Sequence, residues 1–492
     1  MPRWHDPWFE LRRWVPVIAG MVYCLTIGCM HCFGNITPYI TSYMRTIGGE
    51  EVRYKDSHWI YSTAGISQGV FGFLGGILEQ KVGPRIAAVV AGWIMSIGIL
   101  ASYFTMTSFY GLVLSYGVIF GIGCGLAYPI PLSVALKWHP DNKGLVSGLI
   151  FVARGLSVFL LTPLQTAFVN PLNLSPDFGP FPESSPKETY FTDTGVLERV
   201  PLLFLLMGAL FVVMQAGSAL FMGNPAEDDP DLAACLDVSR KKQQALTKGK
   251  GGGDAAAARA AVGQTIHPED IPILPIHKMV FTYQFWTIWL IMFFNWQAIS
   301  FVNGFWKIIG QTDMGLDDVT LALLGSVAAV TNSLGRVVWG MAGDRFGFKT
   351  TMMAICVSFW FFLITLPLCH TDTLALYGIV GMNTLVMYYI WINVIKIIDG
   401  GAFTIFPPVT SDIFGKRNFG PVFGLLFTAR ATSSLVGSSI CSLLYDGKTV
   451  DLTGMCLLMS SCFIVSAVLT LSFKVSPIPV PPGYHPLRTR TR

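Results

Sequence analysis

Charge is scarce in this chain. Only 13% of its 492 residues are Asp, Glu, Lys or Arg, against about 25% in soluble domains, and 52% are hydrophobic, with a mean hydropathy of +0.55. That shortage excludes a soluble protein and places the chain in lipid. A net charge of +4 calls for no nucleic-acid partner. Disulfide pairing is equally unsupported: Cys24, Cys29, Cys32, Cys124, Cys356, Cys441, Cys456 and Cys462 lie in apolar runs, and Cys235 in a polar stretch. No Cys/His cluster has metal-ligand spacing, and no nucleophile–base array is visible, so no metal, cofactor or enzymatic activity is expected. Acids are rarest inside the apolar runs, where Asp399 is the clearest.

What the chain has in abundance is long hydrophobic runs. Twelve emerge, at 14–40, 57–78, 86–106, 109–133, 144–169, 200–222, 282–305, 319–342, 350–369, 385–409, 420–444 and 453–474. Each is long enough to cross a ~30 Å hydrocarbon core as a helix. Residues 370–384 are also apolar and would extend a neighbouring span or form an inserted element. The first run follows Arg3, Arg12 and Arg13, is too long for a signal-peptide core and lacks a clear cleavage site, so it is expected to be retained. With both termini in the cytosol, about 22 of the 33 Lys and Arg lie inside and about 7 outside, the usual positive-inside bias. The expected organisation is a six-helix half over 1–222, a cytosolic linker over 223–281, a second half over 282–474 and a cytosolic tail over 475–492. The linker turns from acidic (Glu227, Asp228, Asp229, Asp231) to basic (Arg240, Lys241, Lys242) and cannot bury a core. Residues 170–199 form a Pro-rich outer loop with an Asn173-Leu-Ser175 sequon. The expectation is an integral multi-pass protein of the plasma membrane rather than an organelle, functional as a monomer in the bilayer.

The two halves repeat. Displaced by 276 residues, Gly125–Arg154 falls on Gly401–Arg430 without a gap, and ten of 30 pairs are identical, among them Pro131/Pro407, Gly148/Gly424, Phe151/Phe427 and Arg154/Arg430. Both arginines lie inside apolar runs. Ten residues beyond Gly144 and Gly420, they reach about 15 Å into the membrane, its midplane. Arg336 lies eight residues before Asp344, about 12 Å from the inner face. Each buried cation costs on the order of 2.5–3.5 kcal/mol, so three unpaired ones approach the stability of a whole domain. A wet cavity awaiting an anion relieves that cost, and a guanidinium fork fits a carboxylate in two-point geometry. Pairing with a backbone carbonyl, or locking a helix end, is the structural alternative for each arginine.

Gly340-Met-Ala-Gly-Asp344-Arg345-Phe-Gly347-Phe-Lys349 joins the eighth and ninth runs, and Gly76-Ile-Leu-Glu79-Gln80-Lys81-Val-Gly83-Pro84-Arg85 is its first-half copy. Gly83 and Gly347 permit a tight turn, and Asp344 with the basic residues would form a charge cluster across helix ends. This pair of loops resembles the signature of the major facilitator superfamily. Within it the chain is similar to the oxalate/formate antiporter and monocarboxylate transporter branch. The stretches that carry this are Gly121-Ile-Gly-Cys-Gly125-Leu-Ala-Tyr128-Pro-Ile-Pro, Asn332-Ser-Leu-Gly-Arg336-Val-Val-Trp-Gly340 and Gly424-Leu-Leu-Phe-Thr-Ala-Arg430.

The resemblance implies an all-α fold of twelve transmembrane helices in two pseudo-symmetric halves. It also implies transport of small carboxylates such as oxalate, formate, lactate or pyruvate. The family holds substrate by basic residues in the eighth and eleventh spans; Arg336 matches the first through Arg-x3-Gly, and Arg430 the second. Arg154 has no basic counterpart there. Animal monocarboxylate transporters also carry a first-span lysine and an aspartate one turn before the eighth-span arginine, both tied to proton coupling. Here those places hold Pro38 and Asn332, so the pattern fits an antiporter better.

Further candidates follow from position. Lys396 and Asp399 share a helical face, so Asp399 can take up a proton or serve as a counter-ion. His31 can titrate near neutral pH or simply pack. Tyr128 and Tyr39 are expected to face the cavity, and some of Trp286, Trp289, Trp296, Trp306, Tyr388, Tyr389 and Trp391 to flank it. The pairs Gly72/Gly76, Gly121/Gly125, Gly144/Gly148 and Gly420/Gly424 mark helices in close approach where the halves move. Rival readings are a facilitator of another metabolite and a transport-inactive sensor.

Overall fold

A helix satisfies every backbone N–H and C=O internally, so it is the natural state of a long apolar run in hydrocarbon. The computed structural model describes residues 7–181, 188–225, 275–312, 318–369, 384–444 and 452–474. The spans are α1 (Leu11–Thr46), α2 (Tyr54–Val82), α3 (Pro84–Thr105), α4 (Phe109–Trp138), α5 (Lys143–Val169), α6 (Thr194–Phe221) and α7 (Tyr283–Thr312). Helices α8 and α9 share the run Asp318–Ile364, divided at Gly347. The last three are α10 (Leu385–Phe414), α11 (Phe419–Gly437) and α12 (Leu452–Ser472). Ten helical stretches pass on length and hydropathy alone. Separating α8 from α9, and adding α2, whose glycines and polar residues lower its hydropathy, gives the expected twelve among the described residues.

Several helices outrun their apolar cores: α1 continues to Thr46, α4 to Trp138 and α10 to Phe414, because their amphipathic ends can lie in the headgroup region. The ninth span is shorter than expected, ending at Ile364 and closing with a 3₁₀ turn, Leu366–Cys369. Helix α1 bends through another such turn, Cys29–Cys32. The outer loop carries a two-stranded antiparallel hairpin, β1 (Phe178–Phe181) with β2 (Glu188–Tyr190), which the sequence did not announce. Most of the linker, the apolar residues 370–383 and the tail fall outside the described residues. Large apolar side chains such as Phe104, Val213, Leu220 and Val468 stand 60% or more exposed, as lipid-facing positions should.

The repeat is visible in the backbone. Gly83 (φ 80°, ψ 162°) separates α2 from α3, and Gly347 (φ 79°, ψ 165°) separates α8 from α9. A side chain is strained at such φ values, which is why glycine stands there in both copies.

Two glycine seams join the halves. Along α2 and α11, a Cβ added at Gly76 would strike the Gly420 carbonyl, and one at Gly424 would strike Gly72. Along α5 and α8, Gly144 abuts the backbone of Gly340, and Gly148 abuts the carbonyl of Arg336. Gly121 and Gly125 do not serve these seams: they pack on Ala64, Ser67 and Gln68 of α2, inside the first half. That corrects the expectation that every such pair lies where the halves move. At the end bearing the signature loops, Lys143 forms an ion pair with Asp412, and Gln80 donates to the Arg417 carbonyl. The halves are thus fastened at that end.

Gly76→Leu should push α2 off α11 and destabilise this joined arrangement by about 1–3 kcal/mol. Spin-label distances across the signature-loop end should lengthen; unchanged distances would refute the seam.

Candidate functional site

The signature loops act differently from the expected charge cluster. Asp344 accepts from the backbone N–H groups of Gly144 (2.7 Å) and Leu145 (2.9 Å), at the N-terminus of α5 in the opposite half. Those are the orphan donors of a helix start, and the helix dipole adds to the attraction. Arg345 instead lies over Phe346 (5.5 Å), and Lys349 donates to the Leu471 carbonyl at the end of α12 (2.6 Å). Arg345, the next residue of α8, leaves the helix on a different face from Asp344, and Lys349 lies beyond the turn at Gly347. In the first-half copy, Glu79 turns inward to Ser133 and Lys137 (both 2.7 Å).

At mid-depth the three arginines converge. Arg154 on α5 is 5% exposed, with its guanidinium carbon 4.8 Å from the Tyr128 ring centroid. Arg430 on α11 lies over Trp296 (4.9 Å), Phe427 (5.5 Å) and Phe403 (5.9 Å). Arg336 on α8 also lies over Phe403, 5.7 Å from its centroid. Arg336 lies within electrostatic reach of both Arg154 and Arg430, and Arg430 within reach of Arg154. Among the described residues, no carboxylate stands at ion-pair distance from any of them. Arg336 Nη1 donates to the Phe151 carbonyl across the halves, but Arg336 Nε, Arg154 Nε and Nη2, and the Tyr128 hydroxyl are buried without a partner. Aromatic faces attract cations by up to about 2 kcal/mol when desolvated, yet they leave N–H donors unmet. The site is therefore a preassembled set of unfilled donors with excess positive charge, walled by flat rings.

The other candidates sit around it. Asp399 on α10 is 6% exposed; Oδ2 accepts from Asn332 Nδ2 (3.1 Å), while Oδ1 is unpartnered. Its charge reaches Arg336, Arg430 and Lys396. The Lys396 ammonium donates to Asn303 on α7 rather than to Asp399. His31, in the 3₁₀ turn of α1, lies 3.4 Å from the Tyr61 hydroxyl and senses all three arginines. Tyr39 does not face the site: it stacks on Phe191 (5.0 Å) beside a cavity of about 400 Å³ near the opposite end. Of the flagged aromatics, Trp296 lines the site, whereas Tyr388, Tyr389 and Trp391 bond to Trp306, Thr320 and Thr365. Phe403 and Tyr61 escaped sequence reasoning because nothing in their spacing sets them apart. Phe151 and Phe427 were legible, since Phe-x-Ala-Arg occurs in both copies.

Two pseudo-symmetric helical halves enclosing a polar, charged site at mid-membrane define a membrane carrier. The family model of the Major Facilitator Superfamily matches residues 17–438, and the chain belongs to that superfamily. Its members are transporters rather than enzymes. Among its relatives is apicoplast pyruvate carrier 1 of Toxoplasma gondii, 28% identical over 93% of this chain and 88% of the carrier. Another is the oxalate:formate antiporter of Oxalobacter formigenes, 24% identical over 74% of this chain and 70% of the antiporter. The crystal structure of the superfamily transporter FucP in the outward conformation covers 93% of this chain and 97% of its own, with a TM-score of 0.61 at 10% identity, and shows the shared fold.

Asp344→Asn preserves shape but removes the charge capping α5. It should weaken the fastened end by about 1–2 kcal/mol. A lowered melting temperature of the purified carrier checks this; an unchanged one contradicts the cap.

Proposed function

We propose that this protein carries small organic anions, mono- or dicarboxylates, across its membrane by alternating access. The observation that supports this most is the convergence of Arg154, Arg336 and Arg430, with unmet donors on Arg154 and Arg336 and, among the described residues, no acid at pairing distance. A carboxylate would fill the donors and offset the charge that lipid and dry protein cannot. The relatives' activities, pyruvate carriage and oxalate:formate exchange, agree with that chemistry.

In this reading Arg430 and Arg336, both from the second half, grip the carboxylate. Arg154 from the first half completes the field, and the Tyr128 hydroxyl offers a further donor. With both termini cytosolic, the fastened end is the inner one and the described state faces outward. The halves 1–222 and 282–474 then rock about the bound anion, breaking Asp344, Gln80 and Lys143 from their partners. Asp399, with one oxygen free beside Arg336, is the group placed to exchange a proton as the site fills and empties.

Reconstituted into vesicles, the carrier should show saturable exchange of labelled pyruvate, formate or oxalate. Arg430→Gln should reduce it at least a hundredfold while leaving folded protein in the membrane, because a charge-assisted two-point contact is lost. Undiminished exchange would overturn the assignment. Asp399→Asn should erase any stimulation of flux by an external acid step; stimulation that survives would remove Asp399 from the coupling role.

A further inference from the structure

Between the two pseudo-symmetric arginines runs a continuous stack of rings. Arg154 rests on Tyr128 (4.8 Å) in the first half. Tyr128 meets Phe427 of the second half at 4.4 Å between centroids, the closest aromatic contact across the halves among the described residues, with Phe423 behind it at 6.1 Å. Phe427 in turn lies under Arg430 at 5.5 Å. The order is cation, ring, ring, cation, and the junction between the halves falls at its middle. Tyr128, Phe423 and Phe427 are each under 5% exposed. A second, looser crossing lies beside it, Phe151 to Phe403 at 6.2 Å, and Arg336 lies over Phe403.

The repeat supplies an independent reason to read this as built. Phe151 and Phe427 precede their arginines by three residues in both copies. On a helix that places each ring one turn nearer the fastened end than its cation. The rings thus form a floor under the arginines, and each half contributes one ring from α5 or α11 and one from α4 or α10.

We propose that the stack Arg154–Tyr128–Phe427–Arg430 is a latch that ties reorientation of the carrier to occupancy of its site. It rests on the carboxylate reading of that site. In the empty carrier the Arg154 and Arg430 guanidinium groups lie, among the described residues, on ring faces, and the ring pair is clamped between these two cations. A carboxylate competes for the same guanidinium groups and offers them hydrogen bonds that a ring face cannot. As they turn to the guest, the ring pair loses its flanking cations and the halves can part there. An empty carrier keeps the latch shut and so reorients slowly. The device makes exchange faster than net movement, and it needs no group beyond those in the stack.

The test compares two fluxes of one labelled carboxylate, pyruvate, from loaded vesicles: exchange against unlabelled pyruvate outside, and net efflux into plain buffer. The parent should exchange faster than it empties. Phe427→Ala should lower the ratio of exchange to net efflux by roughly two- to tenfold, the scale of one aromatic pair. It should do so chiefly by speeding net efflux. Phe427→Trp keeps a ring and should restore the parent ratio, whereas Phe427→Leu keeps bulk without a ring and should not. A ratio unchanged in both Phe427→Ala and Phe427→Leu, with exchange intact, overturns the latch alone. A ratio restored equally by Leu and Trp reduces the residue to a space-filler and also overturns it. Absence of any carboxylate exchange in the parent defeats the underlying reading instead.

Discussion

A guanidinium cannot shed its charge at any accessible pH, so one placed at mid-membrane must be met by an anion, by water or by the π face of a ring. In this chain three such groups gather deep in the span, Arg336 somewhat nearer the signature-loop end, and among the described residues no acid stands at pairing distance. The surroundings follow from that constraint. Trp296, Phe403, Phe427 and Tyr128 supply negative ring faces from four different helices. The Phe151 carbonyl takes one Arg336 donor. These contacts hold the cations in place and leave donors of Arg154 and Arg336 unmet.

The same constraint explains the division of labour along the helices. Toward the signature-loop end the halves meet through glycine, where backbones touch and little side-chain rearrangement accompanies parting. At that extremity the fastening is electrostatic and partly solvated: Asp344 on the start of α5, Lys143 on Asp412, Gln80 on a carbonyl. Such contacts re-form readily in water. Beyond the glycine seams the rings lie one turn nearer the fastened end than the arginines, and the aromatic crossings between the halves concentrate there.

Arg336 and Arg430, which the resemblance singles out, both lie over the Phe403 ring, and the acid stands elsewhere than the resemblance suggests. The carboxylate missing from α8, where Asn332 stands, reaches the same neighbourhood from α10, since Asp399 bonds to Asn332 itself. The position that reads in sequence as lacking an acid therefore has one bonded to it from the facing helix. Neither residue's spacing reveals this, because it depends on how α8 and α10 are rotated against each other.

What the sequence by itself determined is whatever one helix settles alone. The number of spans, the paired turns at Gly83 and Gly347 and the shared depth of Arg154 and Arg430 follow from apolar length, helix rise and the internal repeat. Each of these is local or a matter of counting. Only the tertiary structure decided which partner each polar group takes. It sent Asp344 to α5 rather than to Arg345, Lys396 to Asn303 rather than to Asp399, Tyr39 away from the site and Phe403 into it. Helical periodicity fixes which residues share a face, but the direction that face looks is set by packing between helices far apart in the chain, and there the partners are chosen.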